Sequence, residues 1–190
     1  MNVHMINKKK AILQATLELI TENGFHGAPM AQVSQRANVA AGTIYHYFKS
    51  KEELIDELYA SLKEKMGIAL LQENNESGGV KERFFKFWLN LFEHFANNPK
   101  EFNFLEQYGN SPMVSKTLRD ENFKHYKPVI EFLADGIKKG VLREMPIELM
   151  TAIVYGSVVS CVKLHLAGMQ MEGKTLKIGM QSCWDSVKIT

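Results

Sequence analysis

The chain has 190 residues, enough to bury about 70% of its unfolded surface without disulfide or metal support. Its 23 Lys and Arg against 21 Asp and Glu leave a formal charge of +2, which excludes a uniformly basic nucleic-acid coat. An apolar share of 45% with 23% charged residues excludes bulk disorder.

No convincing period-2 run occurs, so the chain reads as all-α, with about nine helices. The first covers Lys8 to Asn23, with Ile12, Leu13, Ala15, Leu17, Leu19 and Ile20 as apolar positions, and Gly24 ends it. The polar residues Gln14, Thr16 and Glu18 within this stretch argue against a signal-peptide core. Pro29 suits the opening of a second helix running to about Ala37. Asn38 can then enter the left-handed region cheaply, and a third helix covers about Ala41 to Tyr47. Ser50-Lys51-Glu52-Glu53 reads as a capping box that starts a fourth helix reaching about Gln72. After a polar loop at 73–79, further helices are expected at about 80–96, 99–109, 111–138, 146–167 and 173–188. The longest uncharged run, Leu149 to Val162, is too short to span a bilayer, so no membrane partner is expected.

Residues 30–48, MAQVSQRANVAAGTIYHYF, carry the apolar code of two helices joined by a tight turn. Val33 and Ala37 point inward before the turn, Asn38 and Val39 make it, and Ile44 and Phe48 point inward after it. This is a helix-turn-helix, whose second helix enters a DNA major groove. With Ile44 set inward at 100° per residue, Gly42 and His46 lie opposite it, Thr43 and Tyr45 on the flanks, and Tyr47 nearer the buried side. Lys51 stands in the first turn of the next helix, where backbone amides favour phosphate. Residues 1–51 hold six basic and two acidic residues, a net of +4, while the remainder is net −2. That asymmetry is the electrostatic footprint of a DNA reader.

GTIYHYFKSKEEL, preceded by AQVSQRANV, resembles the N-terminal domain of the TetR family of bacterial transcriptional regulators. The resemblance covers roughly residues 8–60. It implies a helix-turn-helix DNA-binding domain at 1–50, linked by helix 51–72 to a helical effector-binding and dimerisation domain at 51–190. It further implies a cytoplasmic homodimer on a pseudo-palindromic double-stranded operator, acting as a repressor released by a small effector. The DNA contacts carry over to Ala41, Gly42, Thr43, Tyr45, His46, Tyr47 and Lys51. Two departures stand out: Ala28-Pro29-Met30 replaces a customary threonine near the second helix start, and Ala40 replaces a serine before the reading helix. Each removes a hydroxyl able to cap a helix or touch phosphate.

In the second half, Phe84, Phe85, Phe87, Trp88, Leu89, Leu91, Phe92 and Phe95 spread over about twice the arc of an ordinary surface helix, so this helix is expected to be central. With the family in view, Phe84, Trp88, Phe92, Phe104, Tyr108 and Tyr126 are candidate walls of a cavity for a small apolar or aromatic effector. A tightly packed core fits the same residues. Ala152, Gly156 and Ser160 form a stripe of small residues that permits close helix approach. With Met180 and Trp184 they are the candidate dimer interface. A DNA-binding dimer without an effector, or an activator, also fits the sequence. The two cysteines, Cys161 and Cys183, form no CxxC pair and are read as free thiols. Glu121 and His125 lie four apart but lack a second pair, so neither a metal nor a cofactor is expected. Without paired carboxylates of supporting spacing, GxSxG, a P-loop or a Glu-x-x-His repeat, no enzyme is expected either.

Overall fold

The computed structural model describes residues 3–24, 27–73, 78–109, 111 and 114–189, with side chains from Lys8 onward. The polar loop expected at 73–79 therefore falls partly outside the described residues. Ten helices follow one another: α1 Val3–Asn23, α2 Met30–Arg36, α3 Ala41–Tyr47, α4 Lys51–Leu71, α5 Val80–Asn97, α6 Pro99–Gly109, α7 Lys116–Phe123, α8 Lys127–Lys138, α9 Ile147–Leu166 and α10 Gly173–Val187. No strand is present among the described residues; one antiparallel bridge pairs Leu142 with Lys188.

One expectation fails. The single helix read at 111–138 is two, α7 and α8, separated by a turn at 124–126. Pro128 is the reason. It has no amide hydrogen and its ring crowds the preceding turn, so it is stable in the first turn of a helix and not inside one. It stands in the first turn of α8, after the Tyr126 N-cap. The first helix also starts earlier than the apolar pattern indicates, at Val3.

The described residues form two compact units, Met1–Lys63 with Lys100–Asn122, and Glu64–Pro99 with Phe123–Thr190. Helix α4 runs unbroken from one into the other. In the first unit α2 packs on α1 and α3 on α2. Ile12, Leu19, Val33, Ile44, Phe48, Leu54 and Leu58 are buried there. Lys9 pairs with Glu57 and sits 5.9 Å over the Phe48 ring, tying α1 to α4. Phe102, Phe104, Leu105 and Tyr108 of α6 are buried in the same unit. The Tyr108 hydroxyl donates to Asp56 Oδ1 at 2.8 Å. Desolvation by burial, with that bond adding to it, pushes the Tyr108 phenol well above its ordinary value.

In the second unit α5 packs against α9 and α10, and α8 against α9. Phe84, Phe87, Trp88, Leu91, Phe92 and Phe95 are all buried, so α5 is the central helix its broad apolar arc predicts. Phe87 meets Phe132 of α8 at 5.0 Å between ring centroids. The bridge is completed by Arg143 N donating to the Val187 carbonyl and Ile189 N to that of Val141, which tie the α8–α9 link to the chain after α10. By length and composition α9 could cross a membrane, yet only 22% of its most apolar window is buried. Much of its apolar surface is therefore uncovered within the protein.

Candidate DNA-reading and effector sites

The turn before α3 is built by backbone geometry. Asn38 adopts φ 51°, and α2 ends in paired bonds from Asn38 N to Gln35 O (3.1 Å) and Val39 N to Ser34 O (3.0 Å). This is the Schellman arrangement, with Asn38 in the left-handed position usually held by glycine. It turns the chain so that Ile44, fully buried, plugs the three-helix core, and Phe48 follows one turn later. The remaining side chains of α3 are then fixed by helical period. Ala41, Gly42, Tyr45 and His46 are exposed, and Thr43 and Tyr47 are half-buried. Tyr45 is the most open of the large hydrophobic ones at 56% exposure. His46 meets Tyr47 edge to face at 5.5 Å.

The next helix begins on the capping residues the sequence identifies. Ser50 Oγ accepts from Glu53 N at 3.1 Å, while the Glu53 carboxylate accepts from Lys49 N at 2.6 Å, one residue earlier than a standard box. Lys51 is half-buried in that first turn. If it tracks phosphate, Lys51→Ala weakens all DNA sequences alike. In a dimer it lowers the slope of log affinity against log salt by about 2, from about 0.9 per contact. A salt titration with operator and scrambled duplexes measures this.

Arg36 and Lys9, which count toward the basic balance of this region, are held within the unit. Arg36 lies 2.6 Å from Glu22 and 4.0 Å from Glu18, and Lys9 holds Glu57. Lys8, Lys10, Lys49 and Lys51 are the other basic residues of this segment. The two departures from the family pattern have a visible result: Pro29 and Ala40 stand at the N-caps of α2 and α3, with no side-chain cap bond on either. Ala40 has φ −65° and ψ 145°, the extended geometry a capping serine takes. Ala40→Ser is therefore expected to stabilise the unit by about 1 kcal/mol and raise Tm by about 2–4 °C. Thermal unfolding followed by circular dichroism checks it.

The effector candidates divide. Phe84, Trp88 and Phe92 form one stripe on α5, four residues apart. Phe84 packs edge-on against Trp184 (5.2 Å), and Trp88 stacks on Phe92 (5.8 Å) while its indole N–H donates to Ser157 Oγ at 2.8 Å. Tyr126, half-buried in the 124–126 turn, meets Phe123 at 5.2 Å. Phe104 and Tyr108 stack on each other at 5.3 Å but belong to the first unit, with α1–α3. Among the dimer candidates, Ala152 and Ser160 are exposed and Gly156 half-buried, with nothing within 4 Å of a Cβ built on Gly156. Met180 is half-buried and lines an open groove of about 530 Å³ with Phe85, Lys174, Lys177, Ile178, Gln181 and Ser182. Trp184 instead turns into its own unit, against Phe84 and Phe85. Burial pushes the Cys161 and Cys183 thiols up, and both are free. Among the described residues no three His, Cys, Asp or Glu gather as metal ligands.

Sequence reasoning missed two residues. Asn90, buried on α5, donates to the carbonyls of Leu70 (3.2 Å) and Gln72 (2.7 Å), closing the C-terminal end of α4. An asparagine in the middle of the aromatic run of α5 was the available signal. Gly67 has no such signal; its closeness to the 124–126 turn exists only in three dimensions.

A small three-helix core that presents a short polar helix after a tight turn defines a helix-turn-helix DNA-binding regulator. Residues 12–58 match the family described as bacterial regulatory proteins, tetR family, and residues 79–188 match the tetracyclin repressor-like C-terminal domain. The chain belongs to the TetR family. It is 30% identical over 160 residues to the fatty acid metabolism regulator protein of Bacillus subtilis, covering 80% of this chain and 79% of that one. A TetR-family transcription regulator from Shewanella sp. PV-4 superposes with TM-score 0.89 at 27% identity, over 96% of this chain and 99% of that one. The transcriptional regulator FadR of Bacillus subtilis, solved in complex with stearoyl-CoA, shares the fold with TM-score 0.73 at 22% identity, over 93% and 95% of the two chains.

Proposed function

We propose that this transcriptional regulator is a cytoplasmic homodimeric repressor that reads a pseudo-palindromic operator through α3 and releases it on binding a long-chain acyl thioester. The observation that carries the effector class is the relative named for fatty acid metabolism, alike over four-fifths of the chain. The apolar stripe Phe84, Trp88 and Phe92 on α5 offers the matching chemistry for an acyl chain, with Tyr126 in the same unit. Reading falls to Thr43, Tyr45 and His46, with Ala41 and Gly42 allowing close approach, Tyr47 at the rim and Lys51 on phosphate. Bidentate readout by arginine, asparagine or glutamine is absent from α3, so specificity rests on single hydrogen bonds, methyl contacts and groove shape.

Dimerisation is supported by the uncovered surface of α9 and α10. Leu149, Leu164 and Ile178 are about half exposed, at 51%, 48% and 56%. The small stripe Ala152, Gly156 and Ser160 runs between Leu149 and Leu164, and the groove at Met180 adjoins Ile178. A partner copy covering this face explains why a helix apolar enough for a membrane is so little buried. A two-half-site operator also requires a two-fold protein.

The test is fluorescence anisotropy of operator DNA, selected by the protein from a random pool, with stearoyl-CoA titrated in. Release of the DNA at micromolar ligand, and none with free coenzyme A, is expected. DNA that stays bound at saturating stearoyl-CoA, together with no thermal stabilisation by that ligand, overturns the effector assignment and leaves a regulator answering to another signal.

A further inference from the structure

His165 carries a buried ring nitrogen that the fold leaves unsatisfied. The residue stands in the last turn of α9 and is half-buried. Its Nδ1 is buried and has no hydrogen-bond partner among the described residues. Buried polar atoms are nearly always paired, because an unpaired one has given up its bonds to water and regained none. Elsewhere α9 does supply such partners: Ser157 Oγ accepts from the Trp88 indole N–H at 2.8 Å. The His165 ring meets Phe92 edge to face at 5.8 Å between centroids, and Phe92 stacks on Trp88 at the same spacing. One turn before Trp88, Phe84 is packed against Trp184 at 5.2 Å. The stripe therefore runs from an aromatic end at Phe84 and Trp184 to a polar end at Phe92 and His165. Past His165 the chain leaves α9 through residues 167–170, all exposed.

We propose that His165 determines specificity for the effector's acyl group: Nδ1 donates to the acyl carbonyl oxygen, the chain lies along Phe92, Trp88 and Phe84, and the head group leaves past the end of α9. The inference rests on the acyl-thioester reading above and adds to it the residue that tells an acyl group from an alkyl one. A carbonyl oxygen accepts and does not donate, so it selects the form of the ring with a proton on Nδ1. The make-up of the stripe sets the direction. An apolar chain gains most where its neighbours are aromatic, and a polar group loses least beside an unpaired donor. Nδ1 has already lost its water on folding, so the carbonyl restores a bond without a fresh desolvation of that nitrogen. An alkyl ligand of the same length covers the same apolar surface and leaves Nδ1 unpaired.

The test compares stearoyl-CoA with its thioether, S-octadecyl-CoA, which lacks only the carbonyl oxygen, by isothermal titration calorimetry on the full-length protein. Wild type is expected to bind the thioester about tenfold tighter than the thioether. His165→Phe removes both ring nitrogens and keeps a planar side chain. It is expected to bind the two ligands within about twofold of each other, with the thioether bound as by wild type. Its Tm without ligand should stay level or rise, since an unpaired buried nitrogen is gone. A purely structural role for His165 would lower both affinities together and leave their ratio unchanged, so the ratio separates contact from folding. If the phenylalanine variant does not fold, His165→Leu is judged by the same ratio. A folded variant that keeps the tenfold preference overturns the proposal. A wild type that binds the two ligands alike also overturns it, and leaves the effector reading standing. A wild type that binds neither ligand overturns the effector reading itself, and the His165 contact with it.

Discussion

Tyr45→Ala is expected to abolish most of the preference for operator over scrambled DNA while leaving the fold intact. Tyr45 is the most exposed large hydrophobic side chain of α3, a helix anchored by buried Ile44 and followed by buried Phe48. Removing it opens no cavity, and alanine is the better helix former, so Tm should stay level or rise slightly. The loss falls on recognition. Taking about 1 kcal/mol per half-site, the low end for a base contact, two readers lose about 2 kcal/mol, or about 30-fold in operator affinity. Tyr45 carries no charge, so binding to scrambled DNA and the salt slope should be unaffected. A salt series on both duplexes separates the two terms. Equal loss on both would mean that Tyr45 supports the reader's structure or its phosphate contacts and reads no base.

How far such statements could be made without coordinates varies along the chain. The reading unit was legible because each of its features is local. Glycine at 24 and asparagine at 38 take the left-handed backbone, at φ 74° and 51°, as their residue types allow at low cost. Ile44 and Phe48 are buried as the helical period demands. The second half was legible in period but not in partner. The breadth of the apolar arc on α5 told that it is central, yet no local rule says that Trp184 faces Phe84 inside the unit and not a second copy. The single helix read at 111–138 shows a different failure. Apolar residues from Tyr126 to Leu133 continue a plausible helical stripe, and only the steric demand of Pro128 breaks it. Charge counting misled more subtly. Lys9 and Arg36 added to the basic balance of the reader, but their partners Glu57, Glu18 and Glu22 hold them within the unit. Formal charge belongs to a sequence, whereas available charge belongs to a surface. The closeness of α4 to the 124–126 turn lay furthest from sight, since Gly67 meets His125 across 58 positions in sequence.

The second large effect is expected at Gly156, and the sign of a small substitution there helps decide what α9 does. A Cβ built on Gly156 meets nothing within 4 Å in its own protomer. If the stripe of Ala152, Gly156 and Ser160 is free surface, Gly156→Ala simply removes a helix-interior glycine and stabilises by about 0.8–1 kcal/mol, and Gly156→Leu is equally harmless. If a partner helix lies against the stripe, the protomer still accepts leucine but the partner cannot. Gly156→Leu should then run as a folded monomer in sedimentation at concentrations where wild type is a dimer. Its operator affinity should fall by about 10²–10⁴, because linked readers gain that factor from binding both half-sites at once. Half-site affinity, measured on a duplex carrying one site, should be unchanged, since α1–α3 lie in the other compact unit. Leucine tolerated with both dimer and operator binding intact would remove this face from the interface and leave the exposed Leu149, Leu164 and Ile178 in need of another explanation.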